Sequence, residues 1–176
     1  MPKLSAAFAD LVSNNKSDIV AELGIYKGKL MRTTMKNCGE QIKEYFAFDT
    51  WKRPVGKIFR HMASRTQEEW DKLHWYACEA MLLYKQIKVF RMDILEAATL
   101  FPNEYFDIVL IDTSHLYENT LMEIKAWLPL VKKGGILCGD DYGCGRRKGH
   151  RVKEAVDEYF GNDITIDRIL WIHKKN

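Results

Sequence analysis

F-D-I-V-L-I (106–111) runs straight into Asp112-Thr113-Ser114-His115, and the apolar run ending at Cys138 passes through Gly139 into Asp140-Asp141. Each run is short and nearly continuous. That is the pattern of a parallel strand buried on both faces by helices. In open sheets of this kind, ligands collect just beyond the carboxyl ends of the strands. Three carboxylates and an imidazole are therefore expected at one edge of the sheet. Buried carboxylates are costly without partners, so a cation or a dense set of donors is needed there, and hard carboxylate oxygens suit Mg²⁺. The residues outline a metal-assisted site with a histidine base. Adjacent side chains diverge in a regular strand, so Asp140 and Asp141 converge only if the chain turns, as Gly139 and Gly143 would allow.

Working outward, strands and helices alternate. Helical spacing of Leu4, Phe8, Leu11 and Val12 predicts a first helix over 4–12. Strands are expected at 18–25, 44–49 and 87–92, with helices at 28–39, 67–85 and 94–100. Residues 50–66 read as irregular, with Pro54 and Gly56 as breakers. A helix over 116–130 limited by Pro129, a turn at Gly134-Gly135, a short strand at 136–138 and a helix at 151–160 follow. Strands at 164–166 and 170–173 close the chain as a hairpin. The expected fold is α/β: a doubly wound, Rossmann-like, mostly parallel sheet with helices on both faces and an antiparallel edge. With 176 residues and no internal repeat or linker, a single domain is expected.

The first strand and turn read Glu22-Leu23-Gly24-Ile25-Tyr26-Lys27-Gly28, or E-x-G-x-x-x-G. Glycines there let the backbone pass close to a ligand, and the helix that follows offers its first N–H groups. A dinucleotide site would carry a third glycine around a pyrophosphate. Here an acid, Glu22, precedes the turn instead, which disfavours a pyrophosphate and suits a cofactor bearing a sulfonium and an ammonium. Asp49, ending the second strand, is placed to accept from both hydroxyls of a ribose. Asp93, after the third, is placed to meet an adenine amino group.

Five stretches carry a family resemblance: E-L-G-x-x-x-G (22–28), F-D-T-W (48–51), I-D-T-S-H-x-Y-E (111–118), W-L-P-L-V-K-x-G-G-I-L-C-G-D-D-Y (127–142) and V-K-E-A-V-D-E-Y-F (152–160). With these the chain resembles class I S-adenosylmethionine-dependent methyltransferases, and among them the small domains related to macrocin O-methyltransferase. The resemblance implies that Asp112, Asp140 and Asp141 bind magnesium and that His115 is the general base. It also implies that the glycine turn (Glu22, Gly24, Tyr26, Gly28), Asp49, Asp93 and Asp112 hold S-adenosylmethionine.

Composition narrows the remaining classes. The net charge is +3, and four positive charges (Arg146, Arg147, Lys148, Arg151) lie within 145–151, so removing four leaves −1. The basic loop fits an anionic or sugar-like small-molecule acceptor and also draws the alternative of a nucleic-acid methyltransferase, against which stand the near-neutral remainder and the absence of a D/N-P-P-Y-type motif. A non-catalytic scaffold would have no use for the carboxylates and His115. No apolar run approaches the roughly 20 residues of a membrane span. Asp10 and the polar 13–18 stretch interrupt any secretory signal. Four cysteines without CxxC spacing, one of them (Cys138) in an apolar strand, fit a reducing cytoplasm. His61, His74, His150 and His173 read as surface or packing residues, and self-association is the remaining partner class.

Overall fold

The computed structural model describes residues 4–53, 64–144 and 151–176. Among these, the elements are α1 (Leu4–Asn14), β1 (Ile19–Leu23), α2 (Lys29–Cys38), β2 (Glu44–Asp49), α3 (Gln67–Cys78), α4 (Ala80–Leu83), β3 (Ile87–Arg91), α5 (Ile94–Ala98), β4 (Phe106–Ile111), α6 (Tyr117–Trp127), a 3₁₀ turn (Leu128–Leu130), β5 (Val131–Gly139), α7 (Val152–Phe160), β6 (Thr165–Asp167) and β7 (Leu170–Lys174). The strands form one sheet in the order β3-β2-β1-β4-β5-β7-β6. The first five pair in parallel, and β7 runs antiparallel between β5 and β6. The expected doubly wound sheet with an antiparallel edge is therefore the fold of the chain.

Alternation along each strand divides the core into two layers. Val20, Tyr45, Ala47, Ile108 and Leu110 face α1, α2 and α3, where Phe8, Val12, Met31, Met35 and Trp70 pack. Ala21, Leu23, Phe46, Phe48, Val109 and Leu137 face α5, α6 and α7, with Trp127, Val156 and Trp171. Glu22 is in phase with Val20, so an acid occupies a position on the first, apolar face. None of the helices among the described residues is long and apolar enough to cross a membrane.

Three expectations about elements are corrected. The helix expected over 67–85 stops at Cys78; Glu79 separates it from α4 and its N–H bonds Trp75 and Ala77 carbonyls. Ala77 and Ala80 are buried, but Leu83 is 71% exposed, so the apolar stripe read onward from Ala80 is not a core face. Leu128–Leu130 is a 3₁₀ turn rather than the end of α6, because Pro129 lacks the N–H an α-helix needs. The Gly134-Gly135 turn lies inside a longer β5. The pairing of β4 with β5 shifts register between Phe106 and Ile108, and Gly134, at φ +75°, takes up the irregularity.

Candidate functional site

The tips of β1, β2 and β4 are knitted together by backbone groups. The Gly24 N–H donates to Phe48 O at 2.8 Å, and the Asp112 N–H donates to Leu23 O at 2.8 Å. Gly24 has φ +92°, and a Cβ there would stand 1.9 Å from the Asp112 carbonyl oxygen. Its glycine is thus required by the close approach of β4 as well as by the turn. Gly28, at φ +67°, starts α2.

Asp49 holds the loop between these glycines. Its Oδ2 accepts from the Ile25 and Tyr26 N–H groups at 3.0 and 2.8 Å, and Oδ1 accepts from the Trp51 N–H at 2.8 Å. The Trp51 indole N–H donates to Tyr26 O at 2.9 Å. Tyr26 and Trp51 both have positive φ (50° and 42°), uncommon for such side chains. The sequence pointed Asp49 at a ribose; the structure gives its carboxylate a further task, fixing the turn that presents Tyr26.

A cleft of about 740 Å³ opens above these tips, within the range of small-molecule sites. Glu22, Gly24, Tyr26, Asp49, Asp93, Asp112 and His115 line it, so seven residues from four strand ends are brought together. Gly28, Asp140 and Asp141 are not part of the lining. Asp93 caps α5, with Oδ1 accepting from the Leu95 and Glu96 N–H groups at 2.8 and 3.3 Å.

At the β4–β5 end, the His115 Nε2 lies 3.5 Å from Asp112 Oδ1 and 3.8 Å from Asp141 Oδ2. His115 and Asp141 are both left-handed, at φ 57° and 58°. The turn that brings Asp141 over is therefore made at Asp141 itself. Gly139 serves a different purpose from the one expected: a Cβ there would meet the Trp171 indole at 2.6 Å. The carboxylates crowd one another. Burial, then the charges of Asp140, Asp141 and Asp49, push the Asp112 carboxyl well above the ordinary range. Burial also pushes Asp140 up to about 6. Among the described residues, the buried Asp140 Oδ1 has no hydrogen-bond partner. An orphaned carboxylate oxygen amid like charges fits a cation. Among the described residues, however, no group of three or more His, Cys, Asp or Glu side chains is arranged to hold a metal ion.

Two buried acids sit deeper. Glu22 is 1% exposed, and its Oε2 accepts from the Tyr45 hydroxyl at 2.5 Å. Burial drives its pKa well up, and the Tyr45 hydrogen bond opposes this. Glu123, also in the cleft lining, is 4% exposed and accepts from Thr113 Oγ1 at 2.7 Å. Burial pushes it up to about 7. Tyr45, Thr113 and Glu123 escaped the sequence reading. The available signal was Glu123 standing in helical phase with Thr120 and Trp127 on the buried stripe of α6.

Of the other histidines, His74 and His173 pack. His74 lies on the Trp51 ring with Cys78 Sγ 3.3 Å from Nε2, and His173 stacks on Phe160. Cys138 is buried and free. His61, His150, Pro54, Gly56 and the loop cations Arg146, Arg147 and Lys148 lie outside the described residues. Arg151 is exposed, ion-paired with Glu154, and its N–H donates to His115 O at 2.9 Å.

The profile of the methyltransferase domain matches residues 21–142. No curated protein matches the chain. Solved structures share the fold. A Staphylococcus aureus protein described as a caffeoyl-CoA O-methyltransferase aligns at 16% identity and TM-score 0.70, covering 100% of this chain and 85% of its own. A Clostridium thermocellum protein described as an rRNA methylase aligns at 14% and 0.68, covering 100% and 99%. CalS11, a TDP-rhamnose 3′-O-methyltransferase of calicheamicin biosynthesis, aligns at 15% and 0.63, covering 96% and 77%. Acceptors this different on one architecture mean that the likeness speaks for the fold alone.

Proposed function

The chain belongs to the methyltransferase-domain family, and from that premise we propose that it is an S-adenosylmethionine-dependent O-methyltransferase acting on a hydroxylated, sugar-like small molecule. The observation that carries this reading is His115 at the cleft, with its Nε2 between Asp112 and Asp141. Methyl transfer from a sulfonium needs alignment and a deprotonated acceptor. Holding the two reactants in line is worth up to roughly 7–11 kcal/mol. A sugar hydroxyl is a weak acid, so a positioned base must take its proton. His115 does so at Nε2, which lies beside the carboxylates of Asp112 and Asp141. Glu22 at the cofactor end suits the positively charged methionine portion, and Asp49 keeps the glycine turn in shape to receive it.

Asp112, Asp140 and Asp141 are the residues that would hold Mg²⁺. The unsatisfied Asp140 Oδ1 supports this assignment. Magnesium keeps several waters and needs only one or two carboxylates, so a closed cage of protein ligands is not a requirement. When bound, the ion would supply charge stabilisation to a developing alkoxide. The four cations Arg146, Arg147, Lys148 and Arg151 of the sequence favour an acceptor carrying negative charge, such as a nucleotide-linked sugar.

The test measures S-adenosylhomocysteine formation over a panel of sugar nucleotides and simple polyols, with and without Mg²⁺. His115→Ala is expected to lower turnover by about 10²–10⁴-fold while cofactor binding by calorimetry persists. Asp140→Asn is expected to abolish stimulation by Mg²⁺. Methylation of an RNA or a nitrogen acceptor in preference to any hydroxyl, or full turnover in the His115 variant, would refute the proposal.

A further inference from the structure

The buried stripe of α6 consists of Thr120, Glu123, Ile124 and Trp127. A carboxyl on such a stripe gives up its hydration and needs a compensating partner. Among the described residues Glu123 has one donor, Thr113 Oγ1, and the charge it feels is that of Asp93, of its own sign. A carboxyl group has room for more than the single hydrogen bond Thr113 makes. The residue is at least nine-tenths buried and yet belongs to the cleft lining. As a lining residue, it can offer that remaining capacity to whatever fills the cleft.

The surroundings define that occupant. Asp93 and Ile94, after β3, line the same cleft as Thr113 and Asn119, after β4. The Trp127 indole N–H donates to Ile94 O at 3.0 Å, so α6 fixes the backbone on the β3 side. Asp93 already spends Oδ1 on capping α5. This part of the cleft therefore combines an apolar side chain, Ile94, with a deep acceptor at Glu123. That pairing fits a planar heterocycle bearing an exocyclic amino group.

We propose that Glu123, oriented by Thr113, accepts a hydrogen bond from the 6-amino group of the cofactor's adenine and so selects the base. This rests on the reading of the cofactor as S-adenosylmethionine. Asp93, which sequence reasoning assigned to the amino group, is then the cap that shapes the loop, and Glu123 is the specificity-determining group.

The experiment is titration calorimetry of the full chain with S-adenosylhomocysteine and with an analogue carrying hydrogen in place of the 6-amino group. The wild-type protein is expected to prefer the amino-bearing ligand by roughly 5- to 100-fold, the range for a hydrogen bond to a buried polar group. Glu123→Gln keeps an acceptor oxygen and should retain the preference. Glu123→Met should lose most of it. Thr113→Val leaves the carboxyl in place but frees its rotamer, and should reduce the preference several-fold even if Glu123→Met does not fold. Equal affinity of the wild type for the two ligands, or an undiminished preference in a folded Met or Val variant, overturns the assignment to Glu123. Binding of neither ligand to the wild type instead overturns the cofactor reading, and the inference with it.

Discussion

The Tyr45 hydroxyl and Glu22 Oε2 stand 2.5 Å apart between β1 and β2, and both side chains are closed to solvent. Neither group has water to fall back on. Tyr45→Phe removes the donor and leaves the acid bare, which is expected to cost about 1–3 kcal/mol of folding stability. Urea denaturation at neutral pH measures it. A midpoint equal to that of the wild type would show that Glu22 has another donor.

Gly24→Ala should be the most disruptive small substitution at the site. The added methyl would sit 1.9 Å from the Asp112 carbonyl oxygen, on a residue at φ +92°. Since this approach joins the tips of β1 and β4, relief requires a backbone shift. The expected loss exceeds about 3 kcal/mol, with loss of cofactor binding. A folded variant that binds S-adenosylhomocysteine normally contradicts this account of the turn.

Asp49→Ala strands three backbone donors, at Ile25, Tyr26 and Trp51. Cofactor affinity is expected to fall by tenfold or more, at roughly 1.5–3 kcal/mol for each hydrogen bond to a charged group. Asp49→Asn, with one carbonyl oxygen left, should recover part of the loss. Calorimetry separates the two; identical behaviour of Asn and Ala would mean that the carboxylate works directly on the ligand.

Glu123 makes stability depend on pH in a defined direction. Its pKa is about 7 in the folded chain, against an ordinary 4.5. Between these values the folded protein binds more protons than the unfolded one. The contribution of Glu123 is therefore full below about pH 4.5 and is lost as pH rises to about 7. The span is on the order of 3 kcal/mol. Glu22, Asp112 and Asp140 are shifted the same way. Glu123→Gln should thus flatten the decline of stability between pH 5 and 8 without abolishing it. Thermal melts of both proteins across that range provide the check.

How much of this was readable follows from what each feature depends on. β2 and β4 match their expected bounds because continuous apolar runs closed by an acid depend on local sequence alone. β5 was underestimated because Gly134-Gly135 carries the signature of a turn, and only pairing with β4 reveals an irregular strand. Asp112 and His115 were legible as residues ending a strand. Asp141 as the site of the turn was not, since nothing local distinguishes it from Gly139. Tyr45 and Glu123 were missed for a related reason. Their meaning lies in which face of the sheet or helix is covered, and that is a property of the assembled layers.

The antiparallel register of Gly139 against Trp171, and the Tyr142 N–H bonded to Ile169 O at 2.8 Å, hold the end of β5 from the far side of the sheet. Protein chains emerge from the ribosome amino end first. The glycine turn, Asp49, Asp93, Asp112 and His115 all emerge ahead of the residues that brace Asp140 and Asp141. The acid pair is thus braced only once β7 has paired with β5, so its geometry depends on residues that follow the rest of the cleft along the chain.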